Sequence, residues 1–315
     1  MSPVHVLVCG TNYGRIYLEA LRLGGARYCL EGILARGSTR SQQIAHEHDV
    51  PLYRCVEDLP PSIDLACAAV GTSGSNVVLG LLARGIHVLC EHPQKPSWLE
   101  SALDAAASQS LCFHINGHFA DLEAAAAFIC HCRQTSGAGS PSFLNVTATD
   151  RSLYAALDIL RRILASFAPF EFHVTSRFPP FTVVQGFLKG VPATFQIQCS
   201  AYDRPFPDAS PRYLVDHRIV AGFPSGIITL LSINGPVIWN ANLNHTVGLV
   251  QPLFTVVDEN RSFTAEALYQ KRIATNLGAI AALTQNMYEH LRPLEQTPDY
   301  LLEVSRAWET LGDLL

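Results

Sequence analysis

The stretch that most limits what this chain can become lies at its start. Val4-His5-Val6-Leu7-Val8-Cys9 is a short, mostly apolar run that breaks at Gly10 and passes through Thr11-Asn12-Tyr13-Gly14-Arg15. It resumes with helical spacing over Ile16–Leu23. Such a run reads as strand, tight turn and helix. In a parallel sheet that turn points backbone N–H groups and a helix N-terminus at whatever sits beyond the strand, an arrangement suited to an anion. The glycine fingerprint of dinucleotide-binding turns is G-x-G-x-x-G. Here Val8 occupies the first glycine position, Gly10 the second, and Gly14 lies one residue past the third. Glycine spacing alone fits either a cofactor turn or a structural strand–helix junction.

The chain then alternates. Tyr28–Leu34 predicts a second strand, Gln42–His48 a helix, and Pro51-Leu52-Tyr53 a short third strand. Ile63–Val70 is apolar on both faces, as a central parallel strand must be. Helices over Asn76–Arg84 and Trp98–Ser108 are interleaved with strands over Ile86–Cys90 and Leu111–Ile115. After Phe119 the texture changes. An alanine-rich helix, Leu122–Arg133, leads into alternating stretches at Phe143–Ala148, Phe172–Ser176, Ala193–Ala201, Tyr213–Ala221, Gly226–Ile233 and Pro236–Trp239. Helices fall at Ser152–Ala165 and Phe263–His290. The expected fold class is α/β: an N-terminal Rossmann-type doubly wound parallel sheet over residues 1–119, and a C-terminal α+β domain over residues 120–315 built on a mostly antiparallel open sheet.

Composition narrows the partners. With 48% apolar and 16% charged residues and a net charge of −5, the chain has no basic footprint for nucleic acid. No apolar run is long enough for a bilayer and no charged leader opens the sequence, so the expected location is the cytoplasm, away from membranes. The nine cysteines fall mostly in apolar strands (Cys9, Cys67, Cys90, Cys112, Cys199) and read as small buried hydrophobes of a reducing compartment. Cys130-His131-Cys132 lies inside a helical pattern with no second ligand pair at zinc-site distance, so no metal is expected.

Ligands of parallel sheets bind beyond the C-terminal ends of the strands. Four such ends carry polar groups: Gly10–Arg15, Arg36–Ser41, Gly71-Thr72-Ser73-Gly74-Ser75, and Glu91-His92-Pro93. The second discriminates. A carboxylate there would accept from the ribose 2′-hydroxyl of NAD, whereas Arg36, Ser38, Arg40 and Ser41 around Gly37 are donors that suit a 2′-phosphate. The expected cofactor is therefore NADPH. Its expected contacts are Gly10, Thr11, Asn12, Tyr13, Gly14, Arg15, Arg36, Gly37, Ser38, Arg40, Gly71, Thr72, Ser75, Glu91, His92 and Pro93. His46 and His48 read as solvated, Asn242–His245 as a polar turn or a cleft residue set, and Trp239 and Tyr202 as sheet core.

The two-domain plan resembles the Gfo/Idh/MocA oxidoreductase superfamily, whose sugar dehydrogenases carry Glu-Lys-Pro where this chain has Glu91-His92-Pro93. Val6–Gly14, Gly32–Ser38 and Leu82–Leu89 are similar to the cofactor turn, second strand and fifth strand of the thiazolinyl imine reductase family of siderophore biosynthesis. Tyr154–Leu160 and Thr297–Leu302 match weaker landmarks. That resemblance implies NADPH-dependent reduction of a thiazoline C=N bond on a substrate tethered to a nonribosomal peptide synthetase carrier domain, and a homodimer formed through the open sheet. It also implies a tyrosine at the position of Phe119, and a longer glycine-rich segment after the fourth strand. With no phenol at 119, His92 is the leading proton donor, His118 the second and ordered water the third. A sugar or polyol dehydrogenase, and a nucleotide-binding sensor or scaffold without turnover, remain as alternatives.

Overall fold

The parallel half of the molecule is built on β1 (Val4–Cys9), in which Val6, Leu7, Val8 and Cys9 are fully buried. A parallel strand covered on both faces has no solvent side, so its apolar run is continuous rather than alternating. Around it lie β2 (Tyr28–Leu34), β3 (Leu52–Tyr53), β4 (Leu65–Ala68), β5 (His87–Glu91) and β6 (Phe113–Asn116), in the order β3-β2-β1-β4-β5-β6 and all parallel. The order reverses between β1 and β4, which opens a crevice at their C-terminal ends. The connecting helices are α1 (Arg15–Gly24), α2 (Thr39–Glu47), α3 (Ser75–Ala83) and α4 (Pro96–Ser108). This computed structural model describes residues 2–71, 74–199, 216–242, 254–257 and 264–315.

The second half carries an eight-stranded sheet in the order β14-β13-β12-β11-β7-β10-β9-β8. Its strands are β7 (Phe143–Thr149), β8 (Phe170–Phe178), β9 (Phe181–Leu188), β10 (Val191–Gln198), β11 (Arg218–Phe223), β12 (Gly226–Leu230), β13 (Val237–Ala241) and β14 (Phe254–Val256). The β7–β10 pair is parallel and the other pairs are antiparallel. Along β10, Val191, Ala193, Phe195 and Ile197 are buried while Pro192 and Gln196 are exposed, the alternation of a sheet covered on one face. Helices α5 (Glu123–Thr135) and α6 (Leu153–Leu164) pack on the sheet. The landmark Tyr154–Leu160 falls within α6 and is buried throughout.

The chain divides into two units, Met1–His118 with Thr264–Leu302 and Phe119–Phe263 with Glu303–Leu315. This differs from the contiguous division into 1–119 and 120–315. The long helix α7 (Ala265–Glu289) buries Ile273, Asn276, Ile280 and Leu283 at spacings of three and four, and such a stripe needs a partner. It finds one in the first unit, in a cluster with Ile16, Tyr17, Leu18 and Leu21 of α1. Nearby, the Gln296 side chain donates to and accepts from the backbone of Ile115 at 2.8 Å each, capping the outer edge of β6. The last helix, α8 (Pro298–Gly312), begins in the first unit and ends in the second. Its Glu303 accepts from Ser166 Oγ and from the backbone N–H groups of Phe167 and Ala168, which tie down the segment after α6.

Two strands, β9 and β14, match none of the expected stretches. β9 contains Gly186, which reads as a strand breaker. A Cβ there would stand 1.9 Å from the carbonyl oxygen of Glu171, so the glycine is what lets β8 and β9 approach. The expected strands Ala193–Ala201 and Tyr213–Ala221 run partly, and Tyr202, Asn244, His245 and Phe263 wholly, outside the described residues. Among the described residues no helix is long and apolar enough to cross a membrane.

Candidate active site

The β1–α1 turn is shaped by its backbone. Gly10 has φ +88°, and a Cβ on it would lie 2.3 Å from the Ala69 carbonyl oxygen; one on Gly14 would lie 2.1 Å from the Gly10 oxygen. Both positions therefore exclude side chains, and the chain passes close over the end of β4. Gly14 caps α1 without a side-chain hydrogen bond, and the first turn holds no acidic residue, so the helix N-terminus is open to an anion. Thr11 is buried, while Asn12, Tyr13 and Arg15 are exposed. Arg15 donates from Nε to the Asn12 carbonyl at 3.3 Å and lines a cleft of about 440 Å³ flanked by α1, α2 and α7.

At the end of β2, Arg36 and Arg40 are exposed and Gly37 has φ +81°. Ser38 caps α2, its Oγ accepting from the Ser41 N–H, while Ser41 Oγ donates to the Ser38 carbonyl at 2.8 Å. Those hydroxyls serve the helix start, which leaves the guanidinium groups as the anion donors of this loop. Past β4, Gly71 has φ +61° and Gly74 donates back to its carbonyl at 3.1 Å. Thr72 lies outside the described residues, as does the side chain of Ser75, the first residue of α3.

The ends of β5 and β6 are built differently. Glu91 closes β5 and accepts hydrogen bonds from Tyr17 Oη and, at 3.0 Å, from Asn116 Nδ2. The same Asn116 amide reaches Asn276 Oδ1 of α7 at 2.8 Å. Loss of hydration pushes the Glu91 carboxyl up to about 7, against the lowering effect of its two donors. The Asn116 carbonyl stands 2.7 Å from His92 Nδ1. A carbonyl only accepts, so Nδ1 carries the proton there. The His92–Pro93 peptide is cis, and Gln94 donates to the Glu91 carbonyl at 2.8 Å. Lys95 is exposed.

His118, two residues past β6, is buried at 1% exposure, with Nε2 3.0 Å from Tyr13 Oη. Burial, then the charges of His92 and Arg272, lower its pKa to about 3, so the ring is neutral near pH 7. The His92 and His118 ring centres are 6.3 Å apart. Tyr13 thus spans from the β1 turn to the end of β6, three strand positions from its own. Its hydroxyl is pushed up by burial and by Glu91. The structure thereby gathers Tyr13, Glu91, His92 and His118 into one edge. Tyr17, Asn116 and Asn276, which complete it, had no sequence signal: each is an ordinary polar residue until the fold brings it in. Phe119 opens the second unit, its ring 6.2 Å from that of the buried His217.

The remaining histidines and cysteines fall elsewhere. Among the described residues, one group of metal-ligand type, His5, Cys29 and Glu31, lies at the start of β1 and β2 and is held together by a His5–Glu31 ion pair at 2.6 Å. Cys130 is exposed and Cys132 buried on α5. All nine cysteines are free, and burial pushes the Cys9 thiol up to about 12. Trp239 packs its ring 5.1 Å from that of His131, and Asn242 follows β13, its amide donating to the Pro224 carbonyl.

A glycine cradle, an open helix N-terminus and a basic second loop together fit a dinucleotide. Comparison with known proteins agrees. Residues 4–117 match the oxidoreductase family with an NAD-binding Rossmann fold (Gfo/Idh/MocA), and residues 139–240 match the thiazolinyl imine reductase Irp3-like C-terminal family. The two matches, one in each half of the chain, support the thiazolinyl imine reductase family within the Gfo/Idh/MocA superfamily. Members of that superfamily are oxidoreductases, and this one uses a nicotinamide nucleotide. No curated protein matches the chain significantly. Several solved structures share its fold. GenD2 from gentamicin A biosynthesis, in complex with NAD, is 14% identical with a TM-score of 0.72, covering 98% of this chain and 93% of its own. The UDP-N-acetylglucosamine 3-dehydrogenase GnnA of Acidithiobacillus ferrooxidans is 14% identical with a TM-score of 0.73, covering 100% and 98%. An oxidoreductase of Agrobacterium radiobacter, in complex with NAD+, L-tartaric acid and magnesium, is 12% identical with a TM-score of 0.71, covering 97% and 94%. At such identities the likeness is one of fold.

Proposed function

We propose that this chain reduces a thiazoline C=N bond to a thiazolidine with NADPH, on an intermediate presented by the carrier domain of a nonribosomal peptide synthetase in the cytoplasm. The observation that carries the reading is the match of residues 139–240 to the C-terminal part of thiazolinyl imine reductases, the half that does not hold the nucleotide. The histidine at the end of β5, in place of the lysine of the sugar enzymes, agrees with it.

NADPH, when bound, supplies the hydride that goes to the imine carbon. The chain's own share is to hold the nucleotide and give the ring nitrogen its proton. Gly10, Gly14 and the N-terminus of α1 hold the pyrophosphate, and Arg36 and Arg40 the 2′-phosphate. His92 is the proton donor. Its Nδ1–H is tied to the Asn116 backbone carbonyl, so Nε2 is the working nitrogen. The Asn116 side-chain amide donates to Glu91 and Asn276, which fixes the residue whose backbone carbonyl holds His92. His118, kept neutral by burial, shares a hydrogen bond with the Tyr13 hydroxyl beside the His92 ring.

The test is NADPH oxidation against thiazoline carboxylates, carrier-bound thiazolines and sugar nucleotides. Oxidation dependent on a thiazoline is expected. Turnover with sugar nucleotides alone would replace this reading by a sugar dehydrogenase, and NADPH binding without turnover on any of them would make the chain a nucleotide-binding protein that is not an enzyme.

A further inference from the structure

The end of β2 gathers more positive charge than its own loop supplies. β2 and β3 run parallel in register, Leu34 beside Tyr53, and Ala35 N–H donates to the Tyr53 carbonyl at 3.0 Å. The chain leaving β3 therefore passes beside the chain leaving β2, and Arg54 comes against Gly37. A Cβ built on Gly37 would stand 2.8 Å from Arg54 Nε and 3.1 Å from Cζ. The guanidinium lies directly over the bare α-carbon of Gly37, in a place that only a glycine leaves open.

Arg36, Arg40 and Arg54 are all exposed, and among the described residues none of them makes a salt bridge. Like charges gathered on adjacent loops repel, and a dianion between them relieves that repulsion. The serine hydroxyls of the loop are already engaged in capping α2. The end of the second strand is where the adenosine ribose of a bound dinucleotide is read. We infer that Arg54 is a third member of the 2′-phosphate clamp, set by its contact with Gly37, and a determinant of NADPH over NADH. The inference rests on the NADPH reading above and extends it to a residue on a different strand.

The test needs no substrate. Calorimetric titration of the full chain, wild type and Arg54→Ala, with NADPH, NADH and adenosine 2′,5′-bisphosphate separates the possibilities. Arg54→Ala is expected to weaken NADPH and the bisphosphate about tenfold or more, as loss of a charge-assisted contact should, and to leave NADH within about twofold. Arg54→Lys should recover only part of the loss, because an ammonium cannot bind a phosphate bidentately. Equal weakening of both dinucleotides, or an undiminished NADPH preference in Arg54→Ala, overturns the assignment of Arg54 while the NADPH reading stands. A wild-type chain that binds NADPH no better than NADH overturns both. Arg54 is exposed, and a thermal melt of each variant checks that the fold is intact.

Discussion

The two ends of one sheet edge are made of different materials. At β1 and β2 the work is done by backbone conformation and exposed guanidinium groups: Gly10 and Gly37 at positive φ, an uncapped helix start, and arginines in solvent. At β5 and β6 it is done by partly or fully buried side chains locked to one another: Glu91, Asn116, Tyr17, Asn276, His92 and His118. The first end suits a ligand whose charge is constant. The second suits a step in which a proton moves, because burial is what brings carboxyl and imidazole groups to unusual protonation states. Salt should therefore act on the first end and pH on the second.

Breaking the second end should have the largest effect. His92→Ala should lower turnover by roughly 10²–10⁴, the usual worth of a positioned general acid, while leaving NADPH affinity nearly unchanged. Tyr13→Phe removes a hydroxyl from the same edge and should cost less than tenfold. A loss as large as that of His92→Ala would move the proton from the imidazole to the phenol. Single-turnover rates of the two variants decide between these outcomes.

The next effect is on stability. His114, which takes a hydrogen bond from Asn286, and His118 are both pushed down to about 3 by burial, from an ordinary 6.5. Between those values the unfolded chain binds protons that the folded chain refuses, so stability falls as pH drops from about 6.5 toward 3. Glu91, raised to about 7, acts in the opposite sense: the folded form holds its proton more tightly between 4.5 and 7, so that contribution is lost as pH rises. Two imidazoles against one carboxyl should give a net loss on the acid side, read as a falling melting temperature below about pH 6. A flat profile would contradict neutral, buried histidines.

The first end should respond to charge alone. Arg36→Ala should weaken NADPH by on the order of 1.5–3 kcal/mol and NADH far less, with the difference shrinking in high salt. Equal losses would remove Arg36 from the 2′-phosphate site. The smallest effect concerns assembly. We propose a homodimer through the face of the second sheet that carries Pro192, Gln196 and Ile227. That face is mixed rather than apolar, so association should be modest, and sedimentation showing a monomer at micromolar concentration would rule it out.

The same contrast explains what could be read in advance. β2 falls on Tyr28–Leu34 as expected, because its apolar run is bounded by local signals. The glycine turn and Arg36 are likewise local features. Asn116 meets Tyr17 across 99 residues and Asn276 across 160, and no pattern within a window of the chain encodes that convergence. Arg54 escaped for the same reason, its partner Gly37 lying on another strand. The return of α7 to the first unit was hidden because its buried stripe shows only that a partner is needed. β9 was masked by Gly186, whose role is visible only once β8 lies beside it.

In the proposed reaction a hydride from NADPH ends on the carbon of a thiazoline C=N bond. Mass spectrometry of the product formed with NADPH deuterated at C4 of the nicotinamide, in the transferred position, tests it directly. The expected product is a thiazolidine carrying one deuterium on the former imine carbon and none of it exchanged with solvent. Unreacted thiazoline alongside a deuterium-labelled sugar product, or a reduced product without the label, would contradict it.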